Sequence, residues 1–442
     1  MAEDAAAENS PKHSENTGQP SNENGPVISW KRWLMLLIFS LITMTNSILF
    51  LSLAPIKQTI SRYYAVQPEV LDWFPNMYFI LYTLLSIPSA FFMECFGLRS
   101  IVLVVSGTQF VTPIMRIVGI DQNGFIFVFA GHIFSAFAYC CVLAVPARLS
   151  TNWFPPNERA LSITIGASMN IFGEAFAFVI STQCVCETNN TILIRSSLLK
   201  IYVAEMVLCS VSLLAALILF EEKATDFGMK AKSERTTSEN FVNSLKSLGL
   251  DLNFHLLCQS YAIYFALFNF FAISLDDLIN IHFKHVSKEM GWMGFSYIVV
   301  SIPSSAIYGY ILDKNQQFRL ASILFNSSSC LLMLIFMLIL VYTDSIPFVF
   351  AVCTMYGLVS ISFYATGLAQ ATLMTYPVPE GVSSAVMLAL GNLYSFAMVA
   401  ILGKGISHGH SVAVGYIMIG LYGVSTFFVS FAKTRKMNKE NS

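Results

Sequence analysis

Four carboxylates stand inside long apolar stretches of this chain, namely Glu174, Glu205, Asp276 and Asp277. An ionised carboxylate in hydrocarbon is costly unless it meets water, a cation or a polar partner, so these residues are candidates for function. We predict that Glu174 faces a central cavity, where it attracts a cationic solute or carries a proton. The alternative for Glu174 is a carboxylate that is protonated or bonded to a neighbouring helix. For Asp276 and Asp277 the alternative is a place among the lipid headgroups.

Three amides lie in similar surroundings. Asn46, Asn170 and Asn392 are embedded in apolar segments, where an amide either binds substrate or hydrogen-bonds a neighbouring helix. The sequence contains no Walker loop, no histidine box and no CxxC pair. We therefore expect no enzyme activity, no cofactor and no metal, and transport that is facilitated or ion-coupled rather than driven by ATP.

The elements that must hold these groups are membrane helices. Hydrophobic residues make up 55% of the 442 positions and charged residues only 12%, a composition that belongs in a bilayer. Apolar runs of about 20 residues can each cross it, and they occur at 34–56, 74–93, 100–120, 124–146, 160–182, 198–220, 254–281, 292–312, 320–342, 346–369, 382–403 and 412–432. The prediction is an all-α polytopic membrane protein with twelve transmembrane helices. A net charge of −1 gives no sign of nucleic-acid binding.

The second half of the chain repeats the first. The segment Phe154-Pro155-Pro156-Asn157-Glu158 returns as Tyr376-Pro377-Val378-Pro379-Glu380, and Asn170 returns as Asn392. Repeated halves in an apolar protein are typical of transporters that open alternately to either side. The predicted divisions are a disordered tail over 1–29, a six-helix bundle over 30–220, a linker over 221–252, a second six-helix bundle over 253–432 and a tail over 433–442.

The basic residues are distributed unevenly between the two sides of the predicted helices. The side that carries both termini has 17 of the 25 lysines and arginines, and an excess of positive charge marks the cytoplasmic side. Asn189-Asn190-Thr191 is an N-glycosylation sequon in a loop on the opposite side. We predict an integral protein of the plasma membrane with both termini in the cytoplasm and a glycan on Asn189.

Charged side chains also cluster where the predicted helices end on the cytoplasmic side. We expect them to form a latch of ion pairs across the two halves that stabilises the outward-open state. Exposed pairs contribute only ~0–1 kcal/mol each, so the latch has to act as a network. The alternative is that these residues anchor helix ends at the membrane surface. The residues are Glu94, Arg99, Arg148, Glu158, Asp313, Arg319 and Glu380.

With twelve predicted helices in two halves, and acids followed by arginines after the second and eighth, the chain resembles transporters of the major facilitator superfamily. That superfamily's loop motif is weakened here to Glu94, Gly97 and Arg99. Within it, the chain is similar to the feline leukaemia virus subgroup C receptor family of haem and choline carriers, over nearly the whole membrane region. Leu51-Ser52-Leu53-Ala54-Pro55 resembles the less characterised branch of that family. The remaining residues that carry the resemblance are Arg32-Trp33, Asn46, Asp72-Trp73, Gly97-Leu98-Arg99, Pro146-Ala147-Arg148-Leu149, Trp153-Phe154, Glu158, Thr375-Tyr376-Pro377, Glu380-Gly381 and Ser383-Ser384.

The resemblance implies an aromatic cage that holds a quaternary ammonium group by cation–π attraction, worth roughly 0.5–2 kcal/mol per ring. Carried over by position, the family's tryptophan in the first helix falls at Phe50, its glutamine in the fifth helix at Ile171 and its tyrosine in the seventh helix at Phe271. Two aromatic faces are therefore kept and the polar partner is lost. At Ile171, choline's hydroxyl group would have no hydrogen-bond partner.

The predicted function is alternating-access transport of a small organic solute, with a choline- or ethanolamine-like amine as the first candidate. The amine would lie between Phe50 and Phe271, with polar contacts from Asn170 and Asn392 and with Glu174 as a further candidate. The predicted partners are this small-molecule substrate and the lipid bilayer, and a coupling proton or cation is left open. Two alternatives are a haem or porphyrin transporter, which would need histidine ligands, and a non-transporting receptor built on a carrier fold.

Overall fold

In the computed structural model, every long element of the described chain is an α-helix. The structure describes residues 30–432 except 144, 156–157, 186–187, 189, 223–245, 281–282, 284–285, 316, 344, 376–377 and 379. The helices are α1 (Lys31–Leu51), α2 (Lys57–Tyr64), α3 (Pro68–Leu71), α4 (Trp73–Val118), α5 (Phe125–Val142), α6 (Val145–Trp153), α7 (Arg159–Cys184), α8 (Thr191–Leu219), α9 (Leu252–Ile279), α10 (Ser287–Asn315), α11 (Phe318–Tyr342), α12 (Ile346–Ser360), α13 (Ser362–Thr375), α14 (Glu380–Ser407) and α15 (Ser411–Phe431). The predicted all-α class is confirmed.

Eleven helical segments of the described chain are long and apolar enough to cross a membrane. The remaining predicted span, 74–93, is helical as well and forms the first part of α4. Side chains at 87 and 90–95 in that part lie outside the description. Helix α4 therefore contains the second and third predicted spans. One other predicted span is divided, since α12 and α13 together make a single crossing over Ile346–Thr375.

The junction between the second and third crossings depends on Gly97. Its φ of 80° lies in the left-handed region, which glycine adopts without steric cost. An added Cβ would also lie 1.9 Å from Oε1 of Glu222, and that same oxygen accepts a hydrogen bond of 2.9 Å from the Leu98 amide. The glycine thus permits both the turn and the close approach of Glu222.

The two halves are built alike around Asn170 and Asn392. In the first half α7 packs on α1, with Gly173 so close that an added Cβ would lie 2.3 Å from the carbonyl oxygen of Met44. In the second half α14 packs on α9 in the same way, with Gly391 against Phe265. The fifth crossing therefore lies on the first as the eleventh lies on the seventh. This is the arrangement expected of duplicated bundles.

The halves meet through α4 against α14 and α7 against α10. We call the end of the bundle that carries Lys31 and Phe431 the tail side, and the end that carries Lys57 the far side. An added Cβ at Gly294 would lie 2.3 Å from the ring of Phe178. The rings of Trp73 and Phe396 are 6.0 Å apart. Such contacts across the halves lie at the far side and at mid-depth, whereas the described ion pairs of the tail side stay within one half. In the described residues this conformation is closed at the far side.

The outer surface is apolar, as a bilayer requires. Helix α8 exposes aliphatic side chains three or four residues apart, which places them on one face. Such a stripe is stable in contact with lipid rather than water. The exposed residues of this stripe are Val203, Val207, Val211, Leu214 and Ile218.

Candidate functional site

At mid-depth, Glu174 of α7 stands among tyrosines. Its carboxylate lies within electrostatic range of the hydroxyl groups of Tyr139 on α5 and Tyr364 on α13. All three side chains are partly exposed. Glu174 therefore lies near tyrosines that belong to both halves of the chain.

Aromatic rings from both halves surround this carboxylate. Tyr139 stacks on Phe50 at 6.3 Å and contacts Tyr82 of α4 at 5.8 Å. Across from them Tyr364 lies 6.2 Å from Tyr261 of α9. Tyr82 is within electrostatic range of both Tyr261 and Tyr364. We call Tyr82, Tyr139, Glu174, Tyr261 and Tyr364 the central aromatic site.

One hydroxyl of the site is left without a partner in the described structure. The Tyr261 side chain is only 1% exposed, and its oxygen has no hydrogen-bond partner among the described residues. A buried polar group without a partner is costly. A ligand that can hydrogen-bond would satisfy it. Together with ring faces and a carboxylate, this hydroxyl suits a small organic cation that carries a polar group.

The structure separates the two aromatic residues between which we predicted the substrate. Phe50 lies beside the central aromatic site, against Tyr139. Phe271 is fully buried, and its ring contacts are with Tyr297, Phe336 and Tyr356, all in the second half. Ile171 is partly exposed one turn before Glu174 on α7. In this conformation Phe271 therefore packs inside its own half.

The three predicted amides hold helices together or bond within one. Asn46 is fully buried and donates to the carbonyl oxygen of Ser135 at 3.1 Å. Asn170 donates to Oγ1 of Thr43 at 3.3 Å. Asn392 donates to the Leu388 carbonyl oxygen of its own helix at 2.8 Å. The side-chain oxygen of Asn392 is buried and has no partner among the described residues.

The predicted latch is described only in part. The side chains of Glu94, Asp313 and Glu380 lie outside the described residues, as does Asn189 of the sequon. The hydrogen bonds and ion pairs that the other four make with described residues stay within their own half, and Arg148 is exposed. Glu158 pairs with Arg32 at 2.9 Å. Arg99 donates to the Leu217 carbonyl oxygen at 3.5 Å, and Arg319 donates to the Ser430 carbonyl oxygen.

A buried charge cluster at the far side joins the halves, and sequence analysis missed it. Nζ of Lys57 lies 2.5 Å from Oδ1 of Asp72 and 3.1 Å from Oδ2 of Asp277. Oδ1 of Asp277 accepts from Nε2 of Gln58 at 2.9 Å. We call Lys57, Asp72 and Asp277 the far-side triad. The sequence did show Asp277 as a candidate, and the charge count put Lys57 on the same side, but no pattern paired residues so far apart in the chain.

Glu205, another acid singled out in the sequence, has a structural partner. Nη1 of Arg116 lies 2.7 Å from both of its carboxylate oxygens, and both side chains are almost fully buried within the first half. Arg116 also contacts Nδ1 of His132 at 2.9 Å. That contact occupies one of the two ring nitrogens of His132. Among the described residues no group of three or more His, Cys, Asp or Glu side chains is placed to hold a metal ion.

Comparison with known proteins identifies the class. Residues 35–402 match the family model of the Major Facilitator Superfamily, and the chain belongs to that superfamily. It is thus a transporter and not an enzyme.

The chain is also similar to choline/ethanolamine transporters of the FLVCR group, which confirms the resemblance seen in the sequence. It is 24% identical to FLVCR1 of Felis catus over 394 residues, which cover 87% of this chain and 70% of that protein. It is 21% identical to FLVCR2 of Rattus norvegicus, over 92% of this chain and 75% of that one. An uncharacterised transporter of the superfamily from Caenorhabditis elegans is 26% identical, over 89% of this chain and 67% of that protein.

Solved structures show the same fold. A bacterial homologue of the human lysosomal transporter Spinster, in an inward-facing and unoccupied conformation, matches with a TM-score of 0.69 at 15% identity. The match covers 91% of this chain and 97% of that one. A D-xylose–proton symporter matches with a TM-score of 0.67 at 12% identity, over 91% and 99% of the two chains.

Proposed function

We propose that this protein carries a small organic cation, a choline- or ethanolamine-like amine, across the membrane at the central aromatic site. The observation that supports this proposal is the placement of Glu174 within electrostatic range of Tyr139 and Tyr364, on helices from both halves. The carboxylate attracts the ammonium group, and ring faces contribute roughly 0.5–2 kcal/mol each. The relatives named choline/ethanolamine transporters favour the same class of solute.

The proposed position of the ammonium group differs from the one that the family resemblance implies. Instead of lying between Phe50 and Phe271, the ammonium group lies next to Glu174, with Phe50 at the edge of the site. The carboxylate attracts the ammonium group, and the buried Tyr261 hydroxyl offers the solute's polar group the hydrogen bond that Ile171 cannot make. A solute held there touches both halves, so rocking of the halves exposes it to one side and then to the other.

The proposed orientation follows the charge distribution. With 17 of 25 basic residues on the tail side, both termini lie in the cytoplasm. The far side is then extracellular, and the conformation described here is closed toward the outside. The sequon at Asn189 falls on the extracellular side and supports residence in the plasma membrane. The two bundles over 30–220 and 253–432, joined by a linker over 221–252, are the parts proposed to rock.

The test is uptake of radiolabelled choline, ethanolamine and haem by cells that express the chain. We expect saturable uptake of an amine that falls about tenfold or more in Glu174→Gln, because the variant keeps the side-chain shape and loses the charge. Glu289→Gln is the matched control, since Glu289 is an exposed carboxylate in the first turn of α10. Its uptake should equal that of the parent chain.

Three outcomes would contradict the proposal. Uptake of haem without either amine would favour the porphyrin alternative. Binding without counterflow of a preloaded solute would indicate a receptor. Full amine uptake by Glu174→Gln would mean that the carboxylate does not hold the cation.

A further inference from the structure

The far-side triad carries an unbalanced charge in a buried place. Lys57 is 5% exposed, Asp72 7% and Asp277 9%. One ammonium group therefore faces two carboxylates, and the fully ionised set has a net charge of −1 away from water. A buried net charge is strongly unfavourable, so such a set gains free energy by taking up one positive charge.

The geometry favours a proton over a metal ion. Both described carboxylates already accept from nitrogen donors, and the described chain brings no third acid or histidine into a metal-binding group with them. A hard metal ion needs about six oxygen ligands, many more than these two side chains leave open. A proton needs a single oxygen.

Asp72 is the carboxylate better placed to take that proton. Asp277 uses both oxygens, one toward Lys57 and one toward Gln58. Asp72 meets Lys57 through Oδ1, while Oδ2 faces the backbone of Gly403, where an added Cβ would lie 2.8 Å away. Protonation at Oδ2 would leave the contact between Lys57 and Asp277 intact across the halves.

We propose that the far-side triad is a proton-binding site, in which protonation of Asp72 stabilises the conformation closed at the far side. The site joins the start of α2 and the end of α3 in the first half to α9 in the second. Opening the far side must separate Lys57 from Asp277 and admit water to Asp72. The proton is therefore bound in the closed conformation and released in the open one. This inference does not depend on which solute is carried.

The direction of the pH effect follows from the two states of Asp72. Burial raises the pKa of this carboxyl from 3.8 to about 6 in the closed conformation, against the opposing pull of Lys57. In the open conformation the group is hydrated and returns toward its ordinary value. The closed conformation thus binds the proton more tightly, and a fall in pH through 6 favours closure. Between pH 7.5 and pH 5.5 the ratio of closed to open molecules should rise about fourfold.

The experiment has to separate the pH response of the triad from that of other charged groups on the surrounding helices and at their ends. Asp276 bonds to Asn280 at 2.7 Å, and Glu69 is the charged neighbour of Asp72 on α3. Besides the triad, the described far-side parts of α2, α3, α9, α10 and α14 and their ends carry the following charged or histidine side chains: Arg62, Glu69, Asp276, Lys288, Glu289, Lys404 and His408.

The experiment measures the distance between the halves at the far side. Spin labels replace the exposed side chains of Arg62 and Lys404, one in each half, in the full chain in lipid nanodiscs. Labels attached through p-acetylphenylalanine leave the nine native cysteines in place. Pulsed electron–electron resonance is recorded on samples equilibrated at pH 7.5 and pH 5.5, without any solute. We expect the short-distance population to grow relative to the long one by about fourfold at pH 5.5.

Variants assign the response to the triad. Asp72→Asn mimics the protonated acid and should show the short distance at both pH values. Asp277→Asn also removes the net charge and should lose most of the pH response. Glu69→Gln is the matched control on the same short helix and should keep it. A distance distribution that is the same at both pH values in the parent, or a full response in Asp72→Asn, would overturn the proposal.

A metal ion is tested in the same samples. Exchange of sodium for potassium at constant pH should leave the distances unchanged. If closure followed sodium rather than pH, the site would bind a metal ion and the proton assignment would be wrong. Failure of this proposal leaves the amine uptake experiment unaffected, because the distance measurement uses no solute.

Discussion

Nζ of Lys57 lies 3.1 Å from Oδ2 of Asp277, and this buried ion pair connects the start of α2 to the end of α9. The pair holds the two halves together at the far side, where 220 residues of chain separate its members. A second carboxylate, Asp72, completes the cluster at 2.5 Å. Among the described residues, Lys57 is the one cation in ion-pair contact with these two carboxylates.

Removal of that lysine should open the far side. Lys57→Ala leaves two buried carboxylates without their cation, and loss of one partner of a buried pair costs about 3–5 kcal/mol. We expect the short distance between labels at 62 and 404 to be lost at pH 7.5. Lys288→Ala, which removes an exposed lysine of α10, is the control. Unchanged distances in Lys57→Ala would show that other contacts close the far side.

Gly294 should be essential for the same closure. An added Cβ there would lie 2.3 Å from Phe178 of the opposite half, whereas one at Gly423 would meet nothing within 4 Å. We predict that Gly294→Ala disfavours the closed conformation and lowers the transport rate. Gly423→Ala should have normal transport and should unfold at the same or a slightly higher temperature, since alanine favours a helix by about 1 kcal/mol. Equal transport by both variants would contradict close packing at Gly294.

The ion pair of Arg116 and Glu205 should act on stability rather than on transport selectivity. Glu205→Gln leaves the guanidinium group buried without its charge partner, which costs about 3–5 kcal/mol. We expect a clear fall in the unfolding temperature, measured by intrinsic fluorescence in detergent. The double variant Arg116→Met with Glu205→Leu should recover much of the loss, because no buried charge remains. A double variant less stable than Glu205→Gln would contradict this account.

Two tyrosines of α9 allow a matched test of the central aromatic site. Tyr261 has a buried hydroxyl without a described partner, whereas the hydroxyl of Tyr264 contacts Ser329 at 2.8 Å and the Val359 carbonyl oxygen at 3.1 Å. Tyr261→Phe should keep its stability and raise the KM for the carried amine by about twofold to tenfold, the effect of one hydrogen bond of ~0.5–1.5 kcal/mol. Tyr264→Phe should lower stability by about 1 kcal/mol and leave KM unchanged. The reverse pattern would place the substrate elsewhere.

Helical hydrophobicity and internal repetition are sufficient to predict the fold. Membrane crossings need long apolar runs, and duplicated halves place Asn170 and Asn392 in equivalent positions, α7 on α1 and α14 on α9. That Glu174 faces a central cavity stays a prediction, made from the cost of an ionised carboxylate in hydrocarbon. The residues involved are close to one another in the sequence or are related by the internal repeat.

The details of the site depend on contacts that sequence patterns do not contain. Aromatic residues make up 14% of the chain, and without a polar face to orient the helices nothing separates Tyr364, beside Glu174, from Phe271, inside its own half. The partner of Asp277 is a lysine in the other half, and only the packing of α2 beside α9 brings them together. Positions transferred from the family that the sequence resembles did not reveal either arrangement.

The two-sided composition of the central aromatic site makes the binding free energy of a solute depend on the distance between the halves. Glu174 and Tyr139 belong to one half and Tyr261 and Tyr364 to the other, so the full set of contacts exists only while both walls are near each other. The cation that we propose to bind there would therefore be held most tightly at the midpoint of the transition and less tightly at each end. Transporters with bound solute should consequently change conformation faster than empty transporters. The rate of solute exchange across the bilayer should then be higher than the rate of net transport.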